Sequence, residues 1–293
     1  MLRWRLLLGT LVIAALLGLC WLDYAAAVPG VWLMPLAVLL AWMAGGEILA
    51  LAEATDRRPL AWAVHTGNLL IVLAAWVPRL DALGDVLPAL EPGAWTLAAL
   101  GLGVLLVFLG EMRRYETPGG VTANVSAAVF ALVYIGGLLA VVVHMRMAWG
   151  IGALAALVIV VKMGDIGAYT VGRLIGRHKM APKLSPGKTI EGMFGGLAFC
   201  CLGAWVAFAW LVPAMASEGS AAGLPYGWLI FGLLVGAAGM VGDLAESLLK
   251  RDAGRKDSST WLPGFGGVLD ILDSILLAAP VAWLCWALGI VGR

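Results

Sequence analysis

Apolar residues run through this chain in long unbroken blocks, not at alternate positions and not on one helical face. Nine such blocks can be drawn: 4–22, 29–52, 60–78, 94–111, 121–143, 147–164, 190–212, 227–249 and 269–290. Each is close to the ~20 residues that a helix needs to cross the hydrocarbon core of a bilayer. Unbroken apolar runs of that length predict helices. With no water in the bilayer core, the backbone must satisfy its own hydrogen bonds, which helices do within one segment. The pattern therefore predicts an all-α, polytopic integral membrane protein with about nine transmembrane helices. The block 60–78 is the weakest, because His65 and Asn68 interrupt it. The stretch 78–93 reads as an extramembrane loop, and no internal repeat is visible.

Composition narrows the class. Hydrophobic residues make up 62% of the 293 positions and charged residues 13%. A soluble domain is nearer half apolar and a quarter charged, so a soluble fold is excluded. A formal net charge of +1 gives no basic field for nucleic acid. Cys20, Cys200, Cys201 and Cys285 all lie in apolar runs and lack the spacing of a zinc site. They read as small core hydrophobes. The N-terminal 27 residues, with basic positions, an apolar run and Ala25-Ala26-Ala27, resemble a signal peptide. The run from Leu6 to Leu22 is long for one and is read as a first membrane helix.

The basic residues orient the chain. With the N-terminus in the cytoplasm, the inner side holds Arg3, Arg5, Arg57, Arg58, Arg113 and Arg114. It also holds Arg173, Arg177, Lys179, Lys183, Lys188, Lys250, Arg251, Arg255 and Lys256. The outer side keeps Arg79, Arg146 and Arg293. The expected location is the cytoplasmic (inner) cell membrane. Residues 1–145 carry hydrophobic helices with no specific motif, whereas 146–293 carry the polar motifs, within one continuous membrane domain. Two inner loops, 165–189 and 250–268, concentrate the charge, so any chemistry belongs at the cytoplasmic face.

Three constellations could carry that chemistry. In GDLAESLLKR (242–251), Asp243, Glu246, Ser247 and Lys250 fall on one helical face. A Glu246–Lys250 ion pair would account for two of them, but it leaves Asp243 unexplained at the membrane boundary, where carboxylates pair or bind cations. In PGFGGVLDILDS (263–274), Gly264, Gly266 and Gly267 allow close approach of backbone to a ligand. Asp270 and Asp273 then share a face as a helix begins. One aspartate there is ordinary helix-start chemistry; two, with Asp243, read as a cation site. Oxygen ligands without His or Cys point to Mg²⁺. Between these blocks, Arg255, Lys256 and Asp257 form either a solvated basic loop or a phosphate clamp.

The third constellation is 164–192. Asp165, Tyr169, Gly172 and Arg173 share a helical face. The segment LSPGKTIEG (184–192) contains Gly-Lys-Thr, the end of a P-loop. That motif requires glycine five positions before Gly187, and Pro182 stands there. It also requires a preceding strand, where this reading expects helix. What remains is a helix start near Ile190, led by Ser185, Gly187, Lys188 and Thr189. Its free N–H groups and dipole favour an anion, although an ordinary helix start with a snorkelling lysine would look the same.

Together these blocks resemble the phosphatidate cytidylyltransferases (CDP-diacylglycerol synthases). The matching residues are Asp165, Ala168-Tyr169 and Gly172-Arg173, then Ser185-Pro186, Lys188-Thr189 and Glu191-Gly192. They continue as Gly242-Asp243-Leu244, Glu246-Ser247, Lys250-Arg251 and Lys256-Asp257. The last block is Pro263-Gly264, Gly266-Gly267, Leu269-Asp270 and Asp273-Ser274. The match covers roughly the last 130 residues. Two positions depart from the family pattern: Phe265 stands for a His and Ile271 for an Arg.

The resemblance implies that CTP and phosphatidate give CDP-diacylglycerol and pyrophosphate, in a homodimer. It implies one or two divalent ions, with a monovalent cation as a further option. Asp243 and Asp270 would hold Mg²⁺, with Asp273 and Glu246 supporting. Lys188, Lys250, Arg251 and Lys256 would hold phosphates, and Ser185 and Thr189 would donate hydrogen bonds. Asp165, Tyr169, Arg173, Gly266 and Gly267 would line the substrate site. The competing expectations are a CTP-dependent lipid-alcohol kinase, an ion-coupled transporter and an inactive relative. A transporter predicts repeats and polar residues at the bilayer midplane, and the charge here gathers at one face.

Overall fold

The computed structural model describes residues 2–76, 91–215, 223–259 and 266–292. The expected loop at 78–93 lies almost wholly outside these residues, as do Pro263, Gly264 and Phe265. The chain folds as helices α1 (Leu2–Ala25), α2 (Leu33–Glu53), α3 (Ala61–Trp76), α4 (Pro92–Arg114), α5 (Val121–Ala131) and α6 (Leu138–Ile175). A hairpin of β1 (Lys179–Ala181) and β2 (Ser185–Thr189) follows. Then come α7 (Ile190–Val206), the short α8 (Val212–Met215), α9 (Gly227–Asp252) and α10 (Leu269–Ala287). One π-helical turn, Leu132–Gly137, joins α5 to α6, and another, Ala207–Leu211, joins α7 to α8.

This is an all-α, multi-pass membrane protein. Six helical segments among the described residues are long and apolar enough to cross a membrane: Leu33–Glu53, Gly93–Arg114, Val121–Ile175, Ile190–Met215, Gly227–Asp252 and Leu269–Ala287. The count by length and composition is six instead of about nine for two reasons. The helix Ala61–Trp76 is shorter than a full span, and of α1 only Ile13–Ala25 enters the count. The 55-residue run Val121–Ile175 counts once, although at 1.5 Å per residue it is roughly 80 Å long. Its backbone breaks at Gly150 (φ 79°, ψ −172°), a conformation closed to residues with a Cβ. The sequence placed this break a few residues earlier, between 143 and 147.

The chain divides into two compact units, Met1–Met147 with Asp252–Ile271, and Ala148–Arg251 with Leu272–Arg293. The division cuts across the loop between α9 and α10: that loop belongs with the N-terminal helices, and both flanking helices belong mainly to the other unit.

In the first unit, two polar side chains inside the helical packing find partners for their oxygens. Asp23 at the end of α1 is fully buried. It accepts from Arg146 Nε at 2.7 Å and from the backbone N–H groups of Gly30 (3.3 Å) and Trp32 (3.1 Å) at the start of α2. A buried charge without such partners would cost several kcal/mol. Asn68, which weakened the 60–78 block on paper, is buried with its Oδ1 accepting from Gly136 N at 3.1 Å in the first π-turn. The polar residue is thus matched to an N–H of the irregular helix beside it.

In the second unit, α9 packs closely on α10. A Cβ added at Gly242 would lie 2.5 Å from the Asp273 carbonyl oxygen and 3.0 Å from Ser274 Cα. Only glycine permits that approach, and it brings the backbones that carry Asp243 and Asp273 together. The hairpin is the correction to the purely helical expectation. It pairs Lys179 with Thr189 and Ala181 with Ser185, antiparallel, so Ser185–Thr189 is a strand and not a loop.

Candidate active site

In the second unit the hairpin delivers Lys188 to α9. Lys188 Nζ lies 2.7 Å from Asp243 Oδ2. The side chains are 23% and 35% exposed, so water and salt reach the pair. Arg251, in the last turn of α9, donates from Nε to the Leu184 carbonyl at 3.1 Å, tying the hairpin turn to the same helix. One turn further along α9 from Asp243, Glu246 is buried and forms the i,i+4 ion pair with Lys250. Asp273 on α10 is buried, and its Oδ1 accepts from Ser274 Oγ at 2.9 Å. On α6, Lys162 pairs with Asp165 at 3.1 Å. Further along, Arg173 donates to the Tyr169 hydroxyl at 2.7 Å and lies over its ring. Asp165, Tyr169 and Arg173 all stand on an exposed face.

The start of α7 is capped by its own residues and tied to the hairpin. Thr189 is buried and serves as the N-cap, its Oγ1 accepting from Gly192 N at 3.1 Å. Ile190 N donates to the His178 carbonyl at 2.9 Å. Glu191 supplies a carboxylate in the first helical turn and accepts from Arg177 N (3.1 Å) and His178 N (3.2 Å). These contacts join helix to hairpin, and the Thr189 hydroxyl, which accepts in its cap, keeps its proton to donate. Gly172, which matches the family motif, packs on Thr189: an added Cβ would be 3.0 Å from its Oγ1.

In the first unit the loop after α9 closes on itself and on α2. Asp270 Oδ2 accepts from Ser258 N (3.0 Å), Ser258 Oγ (2.6 Å) and Gly267 N (2.8 Å). Glu47 of α2 accepts from Ser258 Oγ (2.9 Å), Val268 N (2.9 Å) and Leu269 N (2.8 Å). Glu47 thus caps the amides that begin α10, where the helix dipole favours an anion. Gly266 has φ 84°, and a Cβ there would be 2.5 Å from Asp270 Oδ2. A Cβ at Gly267 would collide with the Ser258 hydroxyl and both Glu47 oxygens. The two glycines, expected to admit a ligand, make room for the chain's own carboxylates. Lys256 lies exposed in the same loop, and Ile271 begins the first turn of α10 with its N–H donating to Val268 O at 3.1 Å.

Sequence reasoning missed Glu47 and Ser258. The signal for Glu47 was present: a carboxylate within the apolar stretch AWMAGGEILALA demands a partner. Nothing in the sequence said which partner.

The sequence model of the cytidylyltransferase family matches residues 5–288. The chain belongs to the cytidylyltransferase family. Among curated members, the phosphatidate cytidylyltransferase of Chlamydia pneumoniae is 31% identical over 252 residues, 81% of this chain and 77% of that one. The phosphatidate cytidylyltransferase of Pseudomonas aeruginosa is 43% identical over 139 residues, 47% of this chain and 49% of that one. A protein of Escherichia coli K12, named only as uncharacterized protein YnbB, is 41% identical over 117 residues, 40% of this chain and 36% of its own length. The match thus spans a third to a half of the latter two relatives and about three quarters of the first. In this cytidylyltransferase-family chain, the family match takes in α2 and its Glu47 as well as the polar motifs of the C-terminal half.

Proposed function

We propose that the protein is a CTP:phosphatidate cytidylyltransferase, forming CDP-diacylglycerol and pyrophosphate at the cytoplasmic face of the inner membrane, with its N-terminus on that side. The observation that carries this reading is the Lys188–Asp243 pair. It places a cation of a polar hairpin on a carboxylate near the end of a membrane-crossing helix, where a soluble nucleotide and a lipid headgroup can meet. The family membership and the similarity to two phosphatidate cytidylyltransferases support it.

In this reaction a phosphate oxygen of phosphatidate attacks the α-phosphorus of CTP. The new P–O bond forms as the bond between the α-phosphorus and the bridging oxygen breaks, and pyrophosphate leaves with that electron pair. A phosphomonoester loses its second proton near pH 6, so the nucleophile is already a dianion at neutral pH. The chain need not supply a strong base, and neither Phe265 nor Ile271 removes a required one. What it must supply is cancellation of charge between two anions. Lys188 and Lys256 are assigned that role, with Lys250 and Arg251 fixing the end of α9. Arg173 and Tyr169 are the groups assigned to the substrate from α6.

Asp243 and Asp270 are the residues assigned to Mg²⁺, with Asp273 beside Asp243 and Glu246 supporting. Among the described residues no group of three or more His, Cys, Asp or Glu is gathered for a metal. Mg²⁺ commonly takes one or two carboxylates and completes its shell with phosphates and water, and the all-oxygen donor set fits that habit. When bound, the ion would neutralise charge on the CTP phosphates. A homodimer is part of the same reading.

The test is purified protein with Mg²⁺, phosphatidate and CTP labelled in the α-phosphate. Label is expected in the lipid fraction, with pyrophosphate released in equal amount. Phosphorylation of a polyprenol with release of CDP would replace this reading by the lipid-kinase one. No labelled lipid from folded protein would refute it.

A further inference from the structure

We propose that Glu47 is a positioning residue for the reaction, clamping Ser258 and the start of α10 so that the Asp270 carboxylate is held in one orientation. The role in turnover rests on the cytidylyltransferase reading; the clamp itself rests on geometry within the first unit. Glu47 sits six residues before the end of α2 and is 8% exposed. Its two oxygens take the backbone N–H groups of Val268 and Leu269 and the hydroxyl of Ser258. These donors lie 211 to 222 positions away in sequence. Ser258 is the shared element. Its hydroxyl is 2.6 Å from Asp270 Oδ2 and 2.9 Å from Glu47 Oε2, and its backbone N–H also donates to Asp270. A hydroxyl has one proton to donate, so it serves one carboxylate at a time and couples the position of each to the other.

The packing fits this role. Gly267 leaves no space for a side chain because Glu47 and Ser258 fill it. A carboxylate inside a membrane-crossing helix is costly without partners, and here Ser258, Val268 and Leu269 supply them from beside Asp270. Groups around a catalytic carboxylate that fix its orientation typically matter by one to two orders of magnitude in activity. The N-terminal helices, for which the sequence offered no motif, thereby contribute to the chemistry.

The experiment compares wild type, Glu47→Ala, Glu47→Gln and Ser258→Ala in detergent. Backbone deuterium exchange is read at Val268 and Leu269, alongside kcat, KM for CTP and the Mg²⁺ concentration giving half-maximal rate. In Glu47→Ala, exchange at these two amides should rise about tenfold or more with α3 and α4 unchanged. kcat should fall ~10²-fold with KM for CTP within about threefold, and the Mg²⁺ requirement should rise. Ser258→Ala should keep the two amides protected and lose ~10-fold in kcat. If Glu47→Ala does not fold, seen as loss of its thermal transition, Glu47→Gln and Ser258→Ala carry the test, and unchanged kcat in both overturns the proposal. Active wild type with unchanged exchange and kcat in Glu47→Ala overturns the clamp and leaves the reaction standing. Inactive wild type in which Glu47→Ala still speeds exchange at 268 and 269 overturns the reaction and leaves the clamp standing.

Discussion

The hairpin that ends in Lys188 is held to its helix by contacts open to solvent, whereas the loop that carries Asp270 is held by a buried carboxylate. Lys188 and Asp243 meet as a partly exposed ion pair, and Arg251 reaches the hairpin through a single carbonyl. Such pairs contribute about 0–1 kcal/mol and exchange readily. Asp270, by contrast, accepts from the Ser258 and Gly267 amides, Glu47 behind it accepts from the Val268 and Leu269 amides with little exposure to water, and the Ser258 hydroxyl is shared between the two carboxylates. Desolvated hydrogen bonds to a charged group are individually worth about 1.5–3 kcal/mol. The difference suggests a division of labour. In the proposed reaction the hairpin side would release its lysine to an anionic nucleotide, and the loop side would keep a carboxylate preorganised.

The largest test of this contrast is Asp243→Asn. Turnover should fall by about 10³-fold or more, since a metal-binding carboxylate contributes several kcal/mol to charge stabilisation. The thermal midpoint in detergent should hardly move, because the side chain is partly exposed. Normal turnover in this variant would remove Asp243 from the site.

Next in size is Gly267→Ala. The added methyl meets the Ser258 hydroxyl and the Glu47 carboxylate, an overpacking expected to cost about 1–3 kcal/mol. Its partner on the hairpin, Gly187→Ala, has open space around the new Cβ and should leave stability within about 0.5 kcal/mol of wild type. Equal thermal midpoints for the two variants would erase the distinction between the regions.

The smallest effect is expected of Lys188→Ala. Stability should change by less than about 1 kcal/mol, while KM for CTP rises roughly tenfold at low salt. The gap to wild type should narrow as salt screens the charge. A kcat defect at saturating CTP, with KM unchanged, would assign Lys188 to the transition state instead.

Several parts of this picture were legible in the chain alone. The apolar blocks fall on helices because each backbone hydrogen bond of a helix is local. The spacing of Glu246 and Lys250 predicted their pairing, since i and i+4 lie on one helical face. Asp243 stood out because nothing on its own helix explained it, and its partner came from the hairpin. The hairpin itself was misread as a helix approach. Its register is set by pairing across a turn, and five residues with a Pro and a Gly carry too little alternation to declare a strand. The cap at Thr189 was likewise not legible: N-cap and ligand donor have the same signature in sequence, and only the fold brings Gly192 N to its hydroxyl oxygen.

What the sequence by itself determined was the solvent and the chemistry. So few charges among so many apolar residues require a membrane, and the Asp, Lys and Gly motifs of 242–274 carry the resemblance to the cytidylyltransferase family, to which the chain belongs. Tertiary structure decided which polar groups answer to one another. It set Lys188 against Asp243, placed Thr189 at a helix cap and filled the space beside Gly267 with Glu47. The physical reason is range. Helix formation and membrane burial follow from neighbours along the chain, whereas a buried carboxylate is satisfied by whichever donors the fold brings to it, and for Glu47 those donors lie more than two hundred residues away.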